Sequence, residues 1–175
     1  MTISLPPETS SPPRLQPSGW LRYFSFSVDH KVIGLQYLVC GFVFYLIGGA
    51  LAGAIRTELT SPVSDFMARD VYNQVLTLHG TVMIFLWIVP VVNGAFGNYL
   101  IPFYVGARDM AFPRLNAVAF WLIPPAGLML ITSYFLTGAA QSGWTAYPPL
   151  SITTPATGQI IWILSVLLLG GSSIF

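Results

Sequence analysis

The chain has 175 residues, of which 54% are hydrophobic and only 7% carry a charge, and its mean hydropathy is +0.70. Soluble domains carry about a quarter charged residues, so this composition belongs in a bilayer. The formal net charge is +1 and the seven Lys and Arg residues form no cluster, which argues against nucleic acid as a partner. The single cysteine, Cys40, lies in an apolar run and reads as a packing or lipid-facing residue, so neither a disulfide framework nor a thiolate metal site is expected.

In chain order, residues 1–25 read as a disordered cytoplasmic tail. Pro6, Pro7, Pro12, Pro13 and Pro17 stand among polar residues there, without the basic start and apolar core of a signal peptide. Val32 to Ile55 forms the first span, uncharged and long enough to cross about 30 Å of hydrocarbon. The second, Val75 to Phe103, is longer than needed, with Pro90, Gly94, Gly97 and Pro102 loosening its later half. The third, Ala117 to Thr137, holds Pro124 and Pro125 at its middle, where two missing backbone donors are expected to kink it. A fourth begins near Gly158 and reaches Phe175. The predicted fold class is all-α: a polytopic transmembrane helix bundle of three complete spans and a truncated fourth.

Charge placement orients this bundle. Arg14, Arg22 and Lys31 precede the first span, and Arg108 and Arg114 separate the second from the third, whereas Arg56 and Arg69 lie on the other side. The excess places the N-terminus in the cytoplasm. The uncharged segment Gln141 to Leu150, with Trp144 and Tyr147, then lies outside and suits a loop folded over the membrane face of the bundle.

Orientation sorts the polar residues into two groups. Of the two histidines, only His79 is read at membrane depth, roughly 6–9 Å inside the outer end of the second helix at about 1.5 Å per residue. An ionisable group there is costly unless coordinated or paired, and imidazole is the commonest neutral metal ligand. Its alternatives are a haem-iron ligand and a neutral histidine bonded between packed helices. Arg56, on the same side, either snorkels to the interface or reaches a group beside His79. Gly48, Gly49, Gly53 and Gly80 either admit a bulky ring or serve ordinary close packing.

Asn93, Asn98 and Asp109 lie toward the cytoplasmic end. Asp109 either collects protons for waters held by Asn98 and Asn116, or is a surface carboxylate balanced by Arg108 or Arg114. Tyr37 is either an interface anchor or a hydrogen-bonding residue. Ser172 and Ser173 either bind waters or bond back to their own helix.

Several strings carry a family signal: Asp29-His30-Lys31-Val32-Ile33-Gly34, Leu78-His79-Gly80, Phe96-Gly97-Asn98-Tyr99 and the loop Gly106 to Asn116. Phe120-Trp121-Leu122-Ile123-Pro124-Pro125, Gly143 to Leu150 and Gly171-Ser172-Ser173-Ile174 complete them. In this order they resemble the main subunit of the bacterial haem-copper respiratory oxidases, the cytochrome c oxidase subunit I family, from about residue 26 onward. The resemblance makes residues 26–175 the N-terminal part of that subunit's transmembrane domain. It implies that His79 is an axial ligand of the low-spin haem, that Arg56 hydrogen-bonds the haem periphery, and that Trp144 lies near the propionates. It also implies that Asp109 is the entrance of a proton path running past Asn98, Asn116, Tyr37, Ser172 and Ser173. Ala117 stands where many relatives have a second asparagine, and Glu58 falls where some bind a structural cation.

The family enzyme passes electrons from cytochrome c through the low-spin haem to a high-spin haem and copper, reduces oxygen to water and pumps protons. The implied partners are the remainder of subunit I, oxidase subunits II and III, the electron donor and the lipid of a plasma or internal respiratory membrane. The high-spin haem and copper ligands have no counterpart in this sequence, so it is expected to be a fragment or truncated product without oxygen chemistry of its own. A quinol oxidase subunit I is the alternative within the superfamily, while nitric oxide reductases lack this style of aspartate path. A transporter or non-catalytic membrane scaffold would explain the spans, but not the histidine and the Asp-Asn ladder together.

Overall fold

The computed structural model describes residues 19–63, 66–136 and 138–175, and among them helices and turns occur without any strand. Four helices are long and apolar enough to cross a membrane: α1 (His30–Glu58), α2 (Arg69–Val105), α3 (Pro113–Leu136) and α4 (Ala156–Ile174). Each expected span is present. Helix α2 starts at Arg69 rather than near Val75, because a polar first turn with Asp70 at its positive end can continue a helix beyond its apolar stretch. Helix α4, expected to be cut short, has 19 residues, about 28 Å at 1.5 Å per residue, close to a hydrocarbon thickness of about 30 Å.

Local chemistry sets the helix ends. The Asp29 carboxylate accepts from the Lys31 amide at 2.9 Å and caps α1. Gly106, at φ +70°, closes α2 in the left-handed region that glycine adopts freely, and the Ala107 amide returns to the Pro102 carbonyl at 2.9 Å.

The interior of α2 is widened, and the widening starts at Val82, ahead of the later half that its prolines and glycines were expected to loosen. Val82–Ile88 and Pro90–Gly97 are π-helical, and the Val89 amide bonds five residues back to the Ile84 carbonyl. A wider turn relieves the clash that the Pro90 ring would make in an α-helix. By contrast, α3 continues as an α-helix through Pro124 and Pro125.

Consecutive helices run antiparallel. His30 at the start of α1 meets Asn98 in the last part of α2, and Ser172 near the end of α4 meets Ala119 near the start of α3. Helix α1 packs along the whole of α2, and α3 packs most extensively on α4. The core includes Ile33, Val82, Leu86, Ile123, Ala126 and Leu130. Two glycines set how closely the helices approach: a Cβ on Gly94 would overlap the Tyr37 ring, and one on Gly127 would overlap Phe44. The opposite face of α1, with Leu38, Val39, Phe42, Val43 and Leu46, is exposed and apolar, as a surface toward lipid or further helices requires.

Most of the expected disordered tail, residues 1–18, lies outside the described residues. From Gly19 to Phe24 the chain forms a 3₁₀ helix, held where the Gln36 amide donates to the Tyr23 and Ser25 carbonyls at 3.0 and 2.9 Å.

Gly127→Ala should lower the melting temperature in detergent, since overpacking costs about 1–3 kcal/mol. Adding Phe44→Leu should restore part of the loss. Thermal unfolding of the single and double variants measures both.

Candidate functional site

The antiparallel order sends the two groups of polar residues to opposite ends. One end carries His79, Arg56 and the loop through Trp144. The other carries Asp109, Asn98, Asn116, Tyr37, Ser172 and Ser173.

At the first end, His79 Nδ1 lies 2.9 Å from the Gly48 carbonyl oxygen of α1. A carbonyl only accepts, so Nδ1 carries a proton, and it is this tautomer of an imidazole that has its lone pair on Nε2. The fixed tautomer suits a metal ligand, whose other nitrogen is commonly held by a carbonyl or carboxylate. Gly48 permits the approach, because a Cβ there would press into the Met83 side chain. Gly49 and Gly53 border open space. Arg56 is exposed one helix end beyond, eight residues from Gly48 or about 12 Å along the axis. It makes no ion pair among the described residues.

The loop after α3 folds back over this end, as its composition predicted. The Ala139 amide donates to Gln74 Oε1 at 3.1 Å, and the Gly143 amide donates to Thr77 Oγ1 at 2.9 Å. On the α4 side, Ser142 Oγ donates to Gln159 Oε1 at 2.9 Å and Trp162 Nε1 donates to Thr81 Oγ1 at 3.0 Å. These bonds set Trp144 over Gly80, where a Cβ would stand 3.3 Å from the indole, and against Phe85 with ring centroids 6.2 Å apart. Gln74, Thr77, Thr81, Gln159 and Trp162 escaped sequence reasoning. The signal for Gln74, Thr77 and Thr81 was a run of polar residues on the early turns of α2, too ordinary to single out, and Gln159 and Trp162 stand singly near the start of α4 with no pattern to mark them.

At the second end a cavity of about 440 Å³ brings together Tyr37, Asn93, Asn98, Asn116, Ser172 and Ser173. Asn98 Nδ2 donates to the Gly94 carbonyl at 2.7 Å, while Asn98 Oδ1 and Asn116 Nδ2 are buried without a protein partner. Tyr37 and Ser172 line the same cavity, and the Ser172 hydroxyl donates across the bundle to the Ala119 carbonyl at 2.7 Å. Ser173 bonds back to the Gly170 carbonyl at 2.9 Å. The two serines therefore take different roles, one bridging helices and one satisfying its own.

Asp109 does not line this cavity, although its neighbour Met110 does. Its carboxylate accepts from the Met110 amide at 2.7 Å and is partly buried. Among the described residues neither Arg108 nor Arg114 pairs with it. A second histidine stands nearby that the sequence reading left outside the membrane. His30 is 4% exposed, and its Nδ1 donates to the Asn98 carbonyl at 2.9 Å. Its charged neighbours Asp29 and Lys31 concealed this burial, and only the overlap of α1 with the end of α2 produces it.

Fold and sites together define a polytopic helical membrane protein with a hydrogen-bonded histidine near one face and, near the other, a largely apolar cavity into which a few amides and hydroxyls are set. The family described as cytochrome c and quinol oxidase polypeptide I matches residues 32–175. A cytochrome c oxidase subunit 1 from Thermostichus vulcanus is 63% identical over 155 residues, covering 89% of this chain and 28% of that protein. One from Synechocystis sp. is 59% identical over 174 residues, covering 99% of this chain and 31% of that protein, and one from Corynebacterium glutamicum is 43% identical over 166 residues. The chain belongs to the cytochrome c and quinol oxidase polypeptide I family, and it spans 28–31% of the length of these first two relatives.

Thr77→Val should leave the half-buried Gly143 amide without its acceptor, a loss of about 0.5–1.5 kcal/mol. Faster proteolytic cleavage within residues 138–149 and a red-shifted Trp144 emission, resolved in a background without the other tryptophans, would report it.

Proposed function

We propose that this chain supplies the low-spin haem side and the proton-entry side of a cytochrome c oxidase subunit I. The observation that carries the reading is the Gly48–His79 hydrogen bond, which leaves Nε2 without a protein partner at the end opposite the cavity that holds Asn98 and Asn116. A haem fits this donor set: one imidazole with its far nitrogen anchored, glycines 49 and 53 beside open space, and the Trp144 loop folded over the same end. When bound, the haem supplies one-electron redox chemistry.

His79 would hold the haem iron through Nε2, and the Gly48 carbonyl on Nδ1 keeps the ring from rotating. Arg56, exposed and unpaired at the same end, offers a guanidinium to the haem periphery. Trp144, fastened through Gly143 to Thr77, borders the site and excludes water.

At the other end Asp109 takes up protons from the cytoplasmic side. The protons pass to water in the cavity between Asn98 and Asn116, whose orphan amide atoms require such partners, and onward to Tyr37 and Ser172. A cavity of this size has room for several waters, and the unpartnered Asn98 Oδ1 and Asn116 Nδ2 are the atoms that would hold them. His30 holds the Asn98 backbone in place, and Ser173 borders the route with its hydroxyl turned to its own helix. Ala117, where many relatives have asparagine, leaves this path to Asn98 and Asn116.

The oxygen site, with its high-spin haem and copper, belongs to the rest of subunit I, so this length of chain is inactive alone. The full assembly includes subunits II and III, receives electrons from cytochrome c, and lies in a bacterial plasma or internal respiratory membrane with the N-terminus in the cytoplasm. The naming of the similar proteins favours cytochrome c over quinol as donor.

In the full-length subunit, His79→Ala should abolish the low-spin haem absorbance, and an unchanged visible spectrum would refute the ligand assignment. Asp109→Asn should slow proton uptake at least tenfold while leaving that spectrum intact. Normal proton pumping in this variant, followed by pH-indicator absorbance in vesicles, would refute the entrance role.

A further inference from the structure

The α1–α2 pair carries a second feature that neither the haem site nor the proton path uses. At the Asp109 end a groove of about 580 Å³ runs between α1 and the last turns of α2. Gly34 forms its floor, where the Ala95 carbonyl lies 3.0 Å from the position a Cβ would take. Its walls include Leu38, Phe96, Tyr99 and Leu100, all exposed. Arg22 and Lys31 stand at its mouth.

Neither cation has a carboxylate partner among the described residues. The Arg22 guanidinium sits over the Tyr23 ring at 4.9 Å and the Lys31 ammonium over the Phe103 ring at 5.0 Å. The nearest acid in sequence, Asp29, already accepts from the Lys31 backbone amide at 2.9 Å. Among the described residues this end of the bundle carries Arg22, Lys31, Arg108 and Arg114 against Asp29 and Asp109. The exposed rings of Trp20 and Phe24, 5.9 Å apart, lie on the 3₁₀ helix that carries Arg22, at the level where aromatic side chains favour the headgroup layer.

We propose that this groove is a specific site for an anionic phospholipid, with Arg22 and Lys31 holding the phosphate and one acyl chain lying along Leu38, Phe96 and Leu100. The charge pattern selects this occupant. An apolar trough with two uncompensated cations at its interfacial end complements a molecule with a hydrocarbon tail and a negative head. A further apolar helix would cover the walls but bury both cations without partners, at high cost. A zwitterionic lipid would bring its own ammonium toward Arg22 and Lys31.

The test uses the full-length protein in its purified complex, in nanodiscs of phosphatidylcholine with increasing phosphatidylglycerol, and counts retained lipids by native mass spectrometry. The paired substitution Arg22→Gln with Lys31→Gln should weaken phosphatidylglycerol retention about thirtyfold, with phosphatidylcholine retention and the visible haem spectrum unchanged. Leu38→Trp, which fills the trough without touching a charge, should also displace phosphatidylglycerol. A photoreactive benzoylphenylalanine at position 100 should yield a lipid adduct. Undiminished phosphatidylglycerol retention in both variants would overturn the proposal. So would equal loss of both lipids in the charge variant, or a crosslink from position 100 to a protein segment. The lipid counts are independent of the His79 assignment, which the haem spectrum tests separately.

Discussion

The hydrogen bond from His79 to the Gly48 carbonyl couples the packing of the first two helices to the chemistry of the site. A helical carbonyl has a second lone pair, so Gly48 accepts from His79 without giving up its place in α1. Glycine at 48 leaves room for the Met83 and Val82 side chains beside the carbonyl that His79 reaches. The bond also selects the tautomer in which Nε2 is free to bind. Close packing, tautomer and ligand capacity thus share one origin, and the antiparallel register of α1 and α2 follows the same contact line to His30 and Asn98 at the far end.

That register passes through the π-helical middle of α2. A turn that holds an extra residue rotates everything after it by about 100° relative to an ideal α-helix. The widened segment therefore determines which face Asn98 presents once His79 has been placed against α1. Gly94 lies within it and accommodates the Tyr37 ring, which in turn meets Ser172 and completes the cavity wall. The prolines and glycines that weaken α2 as an isolated helix are the residues that aim its later half.

The groove beside Arg22 and Lys31 has a related cause. Gly34 brings α1 close to Ala95, and the bulky residues on either side of that contact stand apart as walls. In a membrane a hollow of this kind must be filled by hydrocarbon or by another helix, and the cations at its edge determine which. One helix pair thereby presents three distinct features: an end with an anchored imidazole, a cavity with unpartnered amide atoms and an apolar trough edged by cations.

The helices and the separation of His79 from Asp109 were legible in the sequence, because successive apolar runs of membrane length must cross the bilayer in alternating directions. The loop through Trp144 was legible as a cover for the same reason, being uncharged and aromatic beside a membrane face. The pairings were not. Nothing local distinguishes Ser172, which reaches Ala119, from Ser173, which bonds back to Gly170, or reveals that His30 is buried while Arg56 is exposed. Those outcomes depend on interhelical register and on the phase shift inside α2, quantities set by contacts between residues far apart in the chain. Sequence periodicity determines what each helix is and which end each polar group occupies, whereas packing across helices decides which polar atoms find partners and which are left for a cofactor, a proton or water.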